Sequence, residues 1–290
     1  VIPRLVALLG AVVVAIAAAP PYTAPLSPSP APPASVVARA REVRAAPLPD
    51  RIGAISELLV GADYQVDAAG EGDGHDPDPP SRYDAFDCVT FVEEVLSLAL
   101  AGDPSDAGRV RDALRYKDGV RSYANRNHHT ELQWLPNNVA SGWIVDVTGK
   151  LGPVRELRAS VTVATWSNWS KRSLFALTDD QLPVGEERLD IVSPATLLAA
   201  DVPAGAIVLT VREPRAGHPL WTNHVMLTVP ADAPTVRHAT RNGDGRVRQQ
   251  SLAGYVNNAV ATYKNWPVAG FAVYLPVEQG PRLAALRPAE

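Results

Sequence analysis

Apolar positions along this chain fall into three patterns: an unbroken run near the start, helical spacing through the first third, and short strand-like runs in the last third. Residues 5–19 are Leu, Ala, Val, Ile and one Gly without interruption, and residues 20–34 are dominated by Pro, Ala and Ser. Residues 35–60 place Ala38, Val43, Leu48, Ile52, Ile55, Leu58 and Leu59 at roughly helical spacing, so one or two helices are expected, broken at Pro47 and Pro49. A loop dense in Gly, Asp and Pro fills residues 61–82. Its stretch from Glu71 to Asp78 lacks the spacing of a calcium loop and is expected to be solvated. The strongest helix is predicted over residues 84–101, where Phe86, Val89, Val92, Leu96 and Ala99 share a face. Asp84 or Asp87 caps it, and Gly102 stops it. A second helix is predicted over 107–116, and the polar, aromatic stretch 123–142 reads as surface-facing recognition material.

Strands are predicted over 161–165, 206–211, 224–229, 235–240, 245–249 and 271–275, with a hairpin turn at Asn242-Gly-Asp-Gly245. Helices first and antiparallel strands afterwards argue an α+β fold rather than alternating α/β. No internal repeat is visible.

The 290 residues are 46% hydrophobic and 20% charged, ordinary globular composition, with a net charge of −4 that offers no basic footprint for nucleic acid. Arg4 before the apolar run, and small residues at its end, give residues 1–19 the form of a cleavable export signal. The run of about 15 residues falls short of the roughly 20 that span a bilayer. An uncleaved anchor is the alternative. The expected organisation is a signal peptide (1–19), a linker (20–34), a catalytic domain (35–280) and a tail (281–290), in a protein that is periplasmic or wall-associated, with no stable membrane span once mature.

Export changes the meaning of the single cysteine, Cys88. Oxidising surroundings favour paired thiols, and one cysteine has no internal partner, so it is an inert core residue or a retained reactive group. It falls in the first turn of the strongest helix. There unpaired N–H groups and the helix dipole favour thiolate, while Asp84 and Asp87 oppose it. A histidine partner is therefore required. Of six histidines, His224 opens one predicted strand and His238 lies within the next. If residues 230–234 turn the chain, the two lie side by side, one to take the thiol proton and one to orient it. A zinc site of Cys88, His224 and His238 has no short-spaced ligand pair behind it, and no metal or cofactor is expected.

The segment Phe86-Asp-Cys-Val-Thr-Phe-Val-Glu93 resembles the Asp-Cys-x-Thr-Phe-Val-Glu motif of the N-acetylmuramoyl-L-alanine amidase-like branch of the NlpC/P60 cysteine peptidases. Arg115 to Gly119, Asn125 to His128, Trp134 with Asn137, the run near Ala206, Asn223-His-Val and His238-Ala-Thr are similar to that branch in order, spanning about residues 40–277. The resemblance implies a papain-like core, with a Cys-bearing helix packed on an antiparallel sheet and a large insert near residues 103–200. It implies Cys88 as nucleophile, His224 as base, His238 as orienting residue, and Tyr64 beside the thiol. Arg126, Trp134, Asn137 and Asn223 join Tyr64 as candidates for substrate contact. Two departures stand out: Asp63 where Pro is usual, and Thr240-Arg-Asn where small serines are common. The family implies peptidoglycan or a muropeptide as substrate, cut between the muramic lactyl group and L-Ala. The wider superfamily implies the bond between D-Glu and a diamino acid instead. A wall-binding module without turnover, with Trp134, Trp143, Trp166 and Trp169 stacking on glycan, is the reading of another class.

Overall fold

The computed structural model describes residues 30–280 and 283. The expected signal peptide and most of the linker and tail lie outside the described residues. Helices α1 (Ala34–Glu42) and α2 (Leu48–Leu58) separate at Pro47, and Pro49 sits in the first turn of α2, where its missing N–H costs nothing. Short strands β1 (Asp63–Tyr64) and β2 (Ala85–Phe86) pair in parallel across the acidic loop. Helix α3 (Cys88–Ala101) begins at Cys88 rather than at Asp84. Asp87 accepts from the N–H groups of Val89 (2.9 Å) and Thr90 (2.8 Å), and Thr90 Oγ1 accepts from Asp87 N–H (2.9 Å). Gly102, at φ 71°, ends it.

Helix α4 (Ala107–Arg115) follows, then a wide helical turn over Thr130–Trp134 that runs into α5 (Leu135–Ala140). Strands β3 (Ile144–Asp146) and β4 (Val154–Val161) come next. Of the strand predicted over 161–165, Val161 ends β4 and residues 163–165 instead open helix α6 (Val163–Asn168), because Thr162 and Thr165 close a second capping box. The chain continues through β5 (Gly185–Val192), α7 (Pro194–Ala199), β6 (Ile207–Arg212), β7 (Thr222–Val229), β8 (Thr235–Thr240), β9 (Arg246–Ser251), α8 (Leu252–Thr262) and β10 (Val268–Pro276).

Among the described residues these strands make one sheet in the order β2-β1-β9-β8-β7-β6-β10-β5-β4, with β3 also on β10. Except for β1 with β2, every ladder is antiparallel, so the fold is α+β with a large mixed sheet. The expected insert is part of it, supplying β3, β4 and β5. Period-two alternation splits the central strands between two cores. Leu209, Val225, Leu227 and Ala239 pack with α2 and α3, while Val208, Met226 and Val236 pack with Leu252, Tyr255 and Val256 of α8. The sheet is thus sandwiched where β7 and β8 run side by side.

Candidate active site

Three elements converge at the head of β7. The β7–β8 ladder pairs Leu227–Val229 with Thr235–Arg237 and reaches no further toward Val225. On the other side, the β6–β7 register shifts so that Asn223 bulges between Thr222 and His224. Into this opening comes the start of α3. The N–H groups of Val225, Cys88 and Val89 face the Cys88 thiol and favour its ionisation, but burial first, and the Asp87 carboxylate second, push it up to about 12. The thiol is protonated at neutral pH, so the helix start does not by itself make a thiolate.

His224, one residue before Val225, places Nε2 2.7 Å from His238 Nδ1. Burial, then the neighbouring His238, holds His224 well below the ordinary imidazole range. Burial, then Arg248 directly across the β8–β9 ladder, lowers His238 to about 4. Both rings are therefore neutral at pH 7. Tyr255 of α8 stacks on His224 (centroids 5.6 Å, planes 21° apart) and is itself held by Thr210 at 2.7 Å. Gln250 Nε2 lies 3.2 Å from His238 Nε2. Tyr64, half-buried, feels the Cys88 and Asp87 charges; with burial as the larger cause, its phenol rises to about 12 and remains an O–H donor. The structure therefore brings Cys88, His224, His238 and Tyr64 together, with Asp87, Gln250 and Tyr255, which sequence reasoning did not single out as site residues. Leu252, Tyr255, Val256 and Ala259 at helical spacing were the available signal for Tyr255.

The other expected substrate contacts are engaged elsewhere. Arg126, only 9% exposed, bonds Glu71 (2.9 Å), Asp76 (2.7 Å) and Asp67 (3.1 Å). It anchors the acidic loop, which is thus not simply solvated. Trp134 is buried and donates to Glu93 at 2.9 Å, Asn137 donates to Asn127 at 2.6 Å, and Asn223 braces its bulge between Thr210 O and Arg212 Nε, both 3.1 Å away. Trp143, Trp166 and Trp169 are buried as well, which overturns their role as an exposed glycan-stacking surface. The stretch 123–142 is therefore not all surface: Arg126, His129, Glu131, Trp134, Leu135 and Asn138 are buried, while Ala124, Pro136, Val139 and Ala140 are exposed. Among the described residues no helix is long and apolar enough to cross a membrane.

Solved structures carry the same α+β architecture. A protein of Legionella pneumophila superposes with a TM-score of 0.72 at 23% identity, covering 84% of this chain and 93% of its own. An N-acetylmuramoyl-L-alanine amidase of Bacteroides uniformis gives 0.62 at 20% identity, covering 80% of this chain and 99% of its own. These likenesses define the class by fold. The sequence places it more narrowly: the profile of the N-acetylmuramoyl-L-alanine amidase-like family matches residues 54–262, well over half of the chain, and the protein belongs to that family. No curated protein matches the chain.

Proposed function

We propose that this protein is an exported cysteine hydrolase of peptidoglycan that cleaves the amide between N-acetylmuramic acid and L-alanine, on a papain-like NlpC/P60 core. The observation that carries the reading is the meeting, at one bulged strand end, of a capped-helix thiol with a hydrogen-bonded pair of neutral histidines. Membership of the amidase-like family supports the choice of bond. The leader in the sequence supports export.

His224 Nε2 is occupied by His238, which leaves Nδ1 to take the Cys88 proton. For Nδ1 to be a free base, the His224 proton sits on Nε2 and is donated to His238 Nδ1. His238 then carries its own proton on Nε2, which requires the Gln250 amide to turn over and present its oxygen where its nitrogen lies, 3.2 Å from His238 Nε2. Thiol and imidazole are both neutral at rest, so proton transfer accompanies attack of sulfur on the amide carbonyl. The C–S bond forms, the carbonyl oxygen gains charge, and collapse expels the L-Ala amine, which takes the proton back from His224. Water, activated by the same imidazole, then releases the lactyl carboxylate from the thioester.

The cap on α3 consumes the N–H groups of Val89 and Thr90. Oxyanion stabilisation therefore falls to the N–H of Cys88 and to the Tyr64 hydroxyl. Purified muropeptides treated with the protein should yield sugar with a free lactyl group, by mass spectrometry, and Cys88→Ala should yield none. Digestion unaffected by Cys88→Ala overturns the thiol mechanism, and a trimmed stem peptide on intact muramic acid overturns the assigned bond.

A further inference from the structure

A second cluster of functional side chains lies in the segment that separates α4 from β6, apart from Cys88. His129, Glu131 and Glu187 are all buried, Glu187 to 1% exposure, and one donor atom from each lies within 4.8 Å of the others. Glu131 Oε1 accepts from the N–H of Thr222 at 2.6 Å. Its Oε2 and both oxygens of Glu187 have no hydrogen-bond partner. Among the described residues neither carboxylate meets a lysine or arginine. Two adjacent carboxyl groups out of water with three bare oxygens need a cation or a proton, because unpaired buried acceptors and charges are costly.

The histidine is oriented for the same task. His129 Nε2 donates to Pro219 O at 2.6 Å, the outward bond to a backbone carbonyl that metal-ligating imidazoles make with their second nitrogen. That leaves Nδ1 inward, 3.4 Å from Glu131 Oε2. Two donors bound tetrahedrally at about 2.0–2.1 Å stand about 3.3 Å apart, so this pair is already at ligand spacing. Glu187 Oε2 lies 3.6 Å from the other ring nitrogen and would have to move toward Nδ1 to close on the same point. Nδ1 also accepts a long bond, 3.2 Å, from Leu132 N–H, which a cation would replace.

We propose that His129 Nδ1, Glu131 and Glu187 bind a divalent transition-metal cation of the zinc class, a buried site of three protein ligands that joins the turn at residues 130–134 and strand β5 to the head of β7. Imidazole with carboxylates is a donor set suited to zinc, and two carboxylates neutralise its charge. A proton on Glu187 is the competing solution, and burial with Glu131 beside it raises that carboxyl to about 9. A single shared proton satisfies one contact and leaves an oxygen bare, whereas a dication engages all three side chains. The site reaches Thr222 through Glu131, two residues before His224, yet it stands whether or not Cys88 is the nucleophile.

The full chain, stripped with chelator and titrated with zinc chloride, should retain one zinc per chain after desalting. Its melting temperature should rise by about 5 °C at a hundredfold excess over Kd. Glu187→Gln should lose both responses, and Cys88→Ala should keep both, which separates this site from the thiol. Cobalt(II) in the unaltered protein should give ligand-field bands with no thiolate charge-transfer band, a readout that needs no variant to fold. Three results overturn the proposal: wild-type protein that keeps no zinc and shows no thermal shift, zinc kept equally by Glu187→Gln, or a cobalt spectrum with a thiolate band.

Discussion

The neutral histidine pair should move the acid limb of activity far below its usual place. An ordinary imidazole titrates near 6.5, and at pH 5.5 about nine-tenths of it is protonated, which costs a general base roughly tenfold in kcat/KM. His238 is lowered to about 4, first by burial and then by Arg248, and His224 lies well below the ordinary range. At pH 5.5 only about 3% of a group titrating at about 4 is charged, so the protein should keep nearly full kcat/KM there. The same shift bears on stability. Between about 4 and about 6.5 the unfolded chain holds a proton on His238 that the folded chain does not, so stability falls as pH falls through that window. The shift of about 2.5 pH units corresponds to about 3 kcal/mol, present above pH 6.5 and lost by about pH 4. Arg248→Gln removes the second cause and should raise the acid limb toward neutrality while leaving the plateau rate alone. The assay is kcat/KM on a purified muropeptide from about pH 3.5 to about pH 8, beside urea unfolding at the two ends of the window. A wild-type limb centred near 6.5, or a limb unmoved by Arg248→Gln, would refute the reasoning.

Glu93 binds Arg115 at 2.6 Å and Trp134 at 2.9 Å inside the core, so Glu93→Ala strands a buried guanidinium and should cost about 3–5 kcal/mol in urea unfolding; a loss below about 1 kcal/mol would deny the network that role. Gln250→Leu deletes the amide that lies 3.2 Å from His238 Nε2 and should lower kcat about fivefold, the worth of one hydrogen bond of about 1 kcal/mol, with KM nearly unchanged; a change in KM alone contradicts an orienting role. Tyr64→Phe keeps the ring and removes the oxyanion donor, so kcat should fall by about a hundredfold, and a rate within twofold of wild type would assign the oxyanion to other groups.

Periodicity carries local elements well. Phe86, Val89, Val92, Leu96 and Ala99 announce α3, Gly102 ends it as expected, and the central strands at 206–211, 224–229 and 235–240 fall within a few residues of β6, β7 and β8. The helix start is misplaced for a nonlocal reason: Ala85 and Phe86 pair with Asp63 and Tyr64, about twenty positions upstream, and that ladder leaves Asp87 as the cap. Strand β4 escapes because Val154 to Val161 presents one largely exposed face on a hairpin arm, with Arg and Glu among its residues. The tryptophans mislead because their partners are remote: Glu93 for Trp134, and Pro183 O, 2.8 Å away, for Trp166. A polar-aromatic composition looks like a recognition surface until those acceptors are placed. Arg126 is the same case, since its three carboxylates lie 50 or more positions upstream.

The high thiol and the low imidazoles are two consequences of one burial, and together they shape the proposed chemistry. A cysteine kept as a thiolate beside an imidazolium is fast but open to oxidants, and the proposed exported setting is oxidising. A thiol raised to about 12 is a poor target for oxidation and disulfide exchange, which suits a lone cysteine with no internal partner. The cost is that nucleophilicity has to be produced during the reaction, by a base whose free nitrogen must be Nδ1 of His224. That requirement falls on tautomer and ring position rather than on charge. His238 with the Gln250 amide turned over sets the first, and the Tyr255 ring, held by Thr210, fixes the second. Cys88, His224 and His238 stand out in the sequence because their side chains carry the proposed chemistry. Gln250, Tyr255 and Thr210 do not, because their contribution exists only once β6, β8, β9 and α8 are folded around β7.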